Sequence, residues 1–369
     1  MKQIVILGGS FAGVSIAHRI LKQAKNKVFK ITLVSPNTHF YWNIASVRAM
    51  IEGQFTDDEM FQPIASGFAQ YPAGQFEFIT GTAEDVDVDA KTVEISRPHD
   101  KISLQYDMLI LATGSRTKEP LPLKGVGSTE ETMAALHDLQ ARVKKAKTIV
   151  IAGAGPTGVE VAGEISFAYK GAKEVTLIAS GPTVLHETPE SVWKIVTKGL
   201  HDLGVNIKPQ TKVLNVQNLA NGGHELTLSD GSHLKADLYL PTHGLVANSS
   251  YLSEKLVNAY GFVKVDEYLR IPGTSNIWAA GDVCEVGASQ FLSCDQQSSY
   301  VAGAIVSILS NKVPQRFKGM TTKFMGVQVG KEIGTAHFGN WRIPSFVVLW
   351  LRKTLFTERL KSTVDGSMY

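Results

Sequence analysis

The chain has 369 residues, 44% of them hydrophobic and 19% charged, which suits a soluble globular class with two or three cored domains. A net charge of +3 without basic runs argues against a nucleic-acid partner. The two cysteines, Cys284 and Cys294, give no metal-ligand spacing and no disulfide framework, so no metal is expected and a reducing compartment is the default.

An apolar strand is predicted at residues 3–7, close to Met1, so no leader is expected, and Lys2 removes the glycine that myristoylation needs. A cytoplasmic location follows as the expectation. The longest apolar run, near the C-terminus at residues 346–351, is too short to span a membrane. A helix is predicted over 14–24 and a second strand over 30–34, giving a βαβ unit with Gly8-Gly9-Ser10-Phe11-Ala12-Gly13 at its first turn. Residues 75–93 alternate polar and apolar, as in a small antiparallel meander. Residues 106–112 read as a buried strand closed by Thr113-Gly114, and Pro120, Pro122, Gly125 and Gly127 mark a linker.

A second βαβ unit starts at Lys147. Its strand runs to Ala152, its turn is Gly153-Ala154-Gly155-Pro156-Thr157-Gly158, its helix covers 157–169 and its next strand 174–179. A hairpin-rich stretch follows, then a strand at 276–280 and a helix near 295–309. The expected fold class is α/β: two Rossmann-like dinucleotide-binding domains, the second inserted in the first. The boundaries are 1–120 with 245–318, then 121–244, then a C-terminal region over 319–369.

A glycine-rich turn between strand and helix lets the backbone approach a pyrophosphate, while the helix offers free N–H groups and the positive end of its dipole. Gly8 and Gly13 hold the outer positions of the first turn and Ser10 the middle one; Gly153, Gly155 and Gly158 complete the second. The acid that commonly ends the next strand is missing from both units. Ser35 ends the first and Ala179-Ser180 the second, so either nicotinamide cofactor, NADH or NADPH, is expected to serve.

Together with Trp278-Ala279-Ala280-Gly281-Asp282, these turns resemble the two-dinucleotide-domain flavoprotein reductases, over nearly the whole chain. The nearer resemblance is to the apoptosis-inducing-factor-like flavoproteins of the ferroptosis-suppressor, NAD(P)H:quinone oxidoreductase type. It implies FAD on the first domain and NAD(P)H on the second. By that resemblance Gly8 through Ala12 meet the FAD pyrophosphate, Arg48 touches FAD at its phosphates, Ala83 offers backbone to the adenine, Asp282 bonds the ribitol, and Glu160 lies beside the nicotinamide. A Cys-x4-Cys pair, which disulfide reductases carry after the first unit, is replaced here by Thr38-His39-Phe40-Tyr41-Trp42-Asn43-Ile44, so electrons are expected to leave the flavin directly. The expected acceptor is a quinone. Another small-molecule or protein acceptor, and a non-catalytic flavin-bound signalling protein, are the alternatives.

Lys331 is a second candidate for the reacting centre, and Phe11, Tyr41, Trp42, Phe324 and Phe338 are candidates for an apolar acceptor slot. The helix expected from Asp295 would aim its N-terminus at the flavin ring. The run from Pro344 to Phe356 joins apolar residues to Arg352 and Lys353, with Arg359 and Lys361 beyond. A peripheral membrane contact, packing on the flavin domain and a dimer contact all remain open for it.

Overall fold

The computed structural model describes residues 1–369. A five-stranded parallel sheet runs in the order Ile277–Ala279, Met108–Leu111, Lys2–Leu7, Phe29–Ser35, Phe76–Thr80. Its central strands are buried on both faces, as parallel strands are. Helices Phe11–Gln23 and Phe291–Leu309 pack together on one face. On the other lies the meander Thr82–Asp87, Thr92–Ser96, Lys101–Gln105, whose Val86, Val93 and Ile95 join Val5, Leu7 and Val34 in one core.

A second parallel sheet runs Asn206–Lys208, Glu174–Ile178, Thr148–Ala152, Leu238–Pro241. The chain crosses between the two sheets twice, and the crossings, Ser115–Thr117 and Leu245–Ala247, pair antiparallel. Helices Pro156–Tyr169 and Glu190–Asp202 and the antiparallel strands Val213–Asn218, His224–Leu228 and His233–Ala236 complete this unit. The α/β class with two Rossmann-like sheets is therefore as expected.

Three local readings change. Residues 75–93 are not one meander: Phe76–Thr80 is a parallel edge strand of the main sheet, and the meander begins at Thr82. The linker runs into a 17-residue helix, Thr129–Lys145, started by a capping box in which Ser128 and Glu131 bond each other's backbone N–H. The helix expected from Asp295 starts earlier, at Phe291.

The C-terminal region is a three-stranded antiparallel sheet, Phe324–Val329, Ile333–Phe338, Trp341–Ile343, followed by the short helices Ser345–Leu351 and Leu360–Val364. Its first strand packs on helix Pro156–Tyr169, where Gly163 leaves room: a Cβ there would meet Val329 Cα at 2.8 Å. The chain then returns to the first unit, where Lys22 Nζ donates to the backbone oxygens of Gly366 and Tyr369.

Candidate functional site

The two glycine turns are built alike. Gly8 has φ +115° and Gly153 φ +110°, conformations that side-chain-bearing residues rarely adopt. A Cβ on Gly13 would meet the Gly8 oxygen at 1.8 Å, and a Cβ on Gly158 would meet the Gly153 oxygen at the same 1.8 Å. Each pair of outer glycines thus lets a helix start tight against the end of its strand.

The first turn fronts a cavity of about 800 Å³ at the carboxyl ends of the main-sheet strands. Gly8, Gly9, Ser10, Phe11, Ala12, Ser35, Ala83, Thr113, Gly114, Gly281 and Asp282 all line it. Gly13 sits behind the turn. Ser10 is the N-cap of helix Phe11–Gln23, yet its hydroxyl makes no capping bond and is free toward the cavity. Ser35 Oγ accepts the Asn37 N–H at 3.1 Å and keeps its own proton to donate. Asn43, from the segment that stands where disulfide reductases carry their cysteine pair, is also on the wall, with residues that no sequence motif singled out, among them Lys124, Tyr251, Gln290 and Cys294.

Asp282 does not cap a helix; it sits in a turn after Gly281, whose φ is +79°. Its carboxylate accepts from Ser115 Oγ at 3.1 Å and pairs with Lys124 Nζ. Buried Gln297 fixes this turn by accepting the Gly281 N–H at 2.7 Å and donating to Val286 O at 2.6 Å. Helix Phe291–Leu309 starts at the cavity wall through Gln290 and Phe291, so its positive end lies there. In its first turns Cys294 is half-buried, and desolvation pushes its thiol up to about 12, so it stays protonated.

Several expected residues lie elsewhere. Arg48 is not on the cavity wall. Helix Ser46–Ala49 turns it toward helix Pro156–Tyr169, where it pairs with Glu164 at 2.7 Å, both side chains 3% exposed, and donates to Lys353 O. Glu160 is buried and accepts from Arg352 and from the Gln328 N–H at 3.1 Å. Burial pushes its carboxyl up, against the pull of Arg352. It too is absent from the cavity wall, because the C-terminal sheet packs over it. Lys331 is exposed at a hairpin tip and lines a separate, smaller cavity of about 390 Å³ with Lys144 and Glu164. The five-residue aromatic slot does not assemble. Phe11 and Tyr41 line the cavity, but Trp42 is fully buried with Nε1 donating to Leu355 O, and Phe324 and Phe338 are cross-strand partners in the C-terminal sheet.

The second turn faces solvent. Gly155 and Pro156 are exposed and Thr157 half-exposed at the start of helix Pro156–Tyr169, and a Cβ on Gly155 would meet nothing within 4 Å. Thr242 Oγ1 donates to Gly153 O at 3.0 Å from the neighbouring strand end.

Residues 2–304 match the pyridine nucleotide-disulphide oxidoreductase family. The chain belongs to that family. Oxidoreductase ptaL of Pestalotiopsis fici is 48% identical over 371 residues, covering 100% of both chains. Ferroptosis suppressor protein 1 of Xenopus tropicalis is 28% identical over 364 residues, 94% of this chain and 91% of that one. Among solved structures, the sulfide:quinone oxidoreductase of Aquifex aeolicus superposes with a TM-score of 0.81 at 18% identity, over 99% of this chain and 92% of that one. The protein is thus an FAD- and NAD(P)-dependent oxidoreductase of the ferroptosis-suppressor-like type. The lining fits FAD: a large cavity, a glycine turn open to phosphate, and the Asp282 carboxylate beside that turn, where a Cβ on neighbouring Gly281 would meet Ala12 Cβ at 3.1 Å.

Proposed function

We propose that this oxidoreductase takes reducing equivalents from NADH or NADPH and delivers them to a quinone-like acceptor. The observation that carries the reading is the pair of matched glycine turns, one fronting the large cavity and one open to solvent. FAD, when bound, supplies the redox chemistry: it accepts a hydride from a reduced nicotinamide and releases two electrons to an acceptor.

The chain's own residues bind and orient. The backbone of Gly9 and Ser10, with the Ser10 hydroxyl, offers donors to the pyrophosphate, and the N-terminus of helix Phe11–Gln23 favours its charge. Asp282 and Ser115 present an acceptor and a hydroxyl to the polyol chain. Lys124 and the positive end of helix Phe291–Leu309 stabilise negative charge at the cavity wall. Gly155 and Pro156 offer the second pyrophosphate site, and the absence of a carboxylate at Ala179-Ser180 admits a 2′-phosphate. A quinone acceptor is supported by apolar side chains in the lining, Phe11, Tyr41, Ile44 and Phe291, of which Phe11 and Phe291 stand with ring centroids 5.7 Å apart. The name of one protein of similar fold, a sulfide:quinone oxidoreductase, points the same way.

An anaerobic absorbance experiment tests this reading. The purified protein should be yellow, bleach on addition of NADH or NADPH, and recover its colour with a short-chain ubiquinone analogue faster than with ferredoxin. A flavin that bleaches but is reoxidised only by ferredoxin overturns the quinone acceptor. A flavin that neither nucleotide bleaches overturns the oxidoreductase cycle.

A further inference from the structure

The smaller cavity, of about 390 Å³, opens where all three parts of the molecule meet, and neither glycine turn lines it. Its size falls within the roughly 300–1,000 Å³ of small-molecule sites. The segment after helix Ser46–Ala49 supplies Ile51 and Glu52, helix Thr129–Lys145 supplies Lys144, and the end of helix Pro156–Tyr169 supplies Glu164, Phe167 and, just beyond it, Lys170. The tip of the C-terminal hairpin closes the remaining side. A Cβ on Gly330 would meet Phe167 Cβ at 2.7 Å, and a Cβ on Gly163 would meet the Gly330 nitrogen at 2.8 Å. Lys331 therefore leaves the hairpin beside Glu164.

The protein does not balance the polar groups of this lining. Lys144 Nζ is committed to Glu52 at 2.6 Å, whereas Lys170 and Lys331 are exposed and form no ion pair. Glu164, its side chain 3% exposed, accepts from Arg48 Nη2 through Oε1 at 2.7 Å, and no donor of the protein meets its Oε2. Arg48 makes a single contact there, since its Nε is buried without a partner. A buried carboxylate oxygen without a donor is destabilising until a donor meets it, and a charged donor stabilises it most. Exposed lysines alone are an ordinary surface. The open carboxylate oxygen among them is what calls for a ligand.

We propose that this cavity binds a small zwitterion, an α-amino acid with an apolar side chain. The ammonium donates to Glu164 Oε2, the carboxylate meets Lys331 and Lys170, and the side chain lies against Ile51 and Phe167. A plain anion satisfies the lysines but leaves Oε2 without a donor and sets a second negative charge beside it. An amine without a carboxylate satisfies Oε2 but adds a cation next to two that have no acid. The bound molecule touches the first unit, the second unit and the hairpin tip, so it stabilises their junction by mass action. It does so at the far end of the helix whose N-terminus carries the second glycine turn, and takes no part in electron transfer.

Isothermal titration calorimetry on the FAD-loaded full chain, with L-leucine, L-methionine and L-phenylalanine as probes, tests the proposal without any measurement of turnover. At least one of the three should bind at a single site and raise the melting temperature saturably. The matching 2-oxo acid, which lacks the ammonium, and the matching amide, which lacks the carboxylate, should each bind about tenfold or more weakly. Glu164→Gln strips Arg48 of its counter-charge and endangers folding, so the exposed lysines carry the mutational test. Lys331→Gln with Lys170→Asn should lower the affinity by a similar factor, asparagine being chosen because position 170 has φ +44°. Flavin absorbance and circular dichroism identify a variant that fails to fold. No heat and no rise in melting temperature with any of the three amino acids at millimolar concentration overturns the proposal. So does a 2-oxo acid that binds as tightly as its amino acid, which makes this a plain anion site. An affinity that the lysine double variant leaves unchanged places the ligand elsewhere and overturns it too.

Discussion

His18 shows how one buried side chain ties distant parts of the chain together. Its ring stacks on Phe68 at 3.9 Å, with Nδ1 against Tyr71 Oη and Nε2 against Val364 O, both at 2.8 Å. Burial, with nearby Lys22, lowers its pKa to about 4, although Val364 O and Asp365 oppose the shift. In the unfolded chain it titrates near its ordinary value, about 6.5. Above that pH neither state binds the proton. As pH falls from about 6.5 toward 4 the unfolded chain takes it up and the folded one does not, so stability is lost over that window. The loss from this group between about pH 7 and 5 is about 2 kcal/mol. Urea unfolding midpoints at those two pH values should therefore fall more steeply for the wild type than for His18→Gln. Parallel slopes for the two proteins would show that His18 is not the titrating group.

At the scale of elements, the glycine turns separate a ligand site from a mere tight bend. Gly158→Ala drives a Cβ to 1.8 Å from the Gly153 oxygen and should damage the second unit itself. Gly155→Ala meets no protein atom within 4 Å, and its φ of −75° is open to any residue, so folding should be unaffected. If a pyrophosphate approaches that backbone, the added methyl raises KM for the nicotinamide cofactor about tenfold or more while FAD content stays at the wild-type level. An unchanged KM would mean that this turn binds nothing. These turns were legible in the sequence because strand, glycine spacing and helix all lie within one short segment. Arg48 was not: a four-residue helix aims it at Glu164, 116 positions away, and no local pattern encodes that partner. The same holds for Lys124, whose partner Asp282 comes from the far end of the first unit. Helix Thr129–Lys145 did carry a local signal, Ser128 with Glu131, but the glycines and prolines just before it dominated the reading. Residues 75–93 misled for a different reason, since a parallel edge strand half-open to solvent alternates as an antiparallel one does.

Over the whole molecule, the C-terminal region acts as a strap across both nucleotide-binding units. Leu355 O accepts from Trp42 and Lys353 O from Arg48 in the first unit; Arg352 pairs with Glu160 in the second; and His18 and Lys22 hold the last residues. The main apolar core is continuous through all three parts, from Ile4 and Leu33 through Ile151 and Leu177 to Val329 and Leu355. Glu160 thus belongs to the framework that holds helix Pro156–Tyr169 against the C-terminal sheet. A framework this shared predicts a single cooperative unfolding transition. Arg352→Ala leaves the Glu160 carboxylate buried without its counter-charge, a defect worth about 3 kcal/mol. Hydrogen exchange should then accelerate first across strands Phe324–Val329 and Ile333–Phe338 and helix Ser345–Leu351, and calorimetry should show that region melting ahead of the rest. Wild-type protein that already melts in two steps, or an Arg352→Ala variant whose exchange rises evenly over the chain, would show that the strap does not couple the two units.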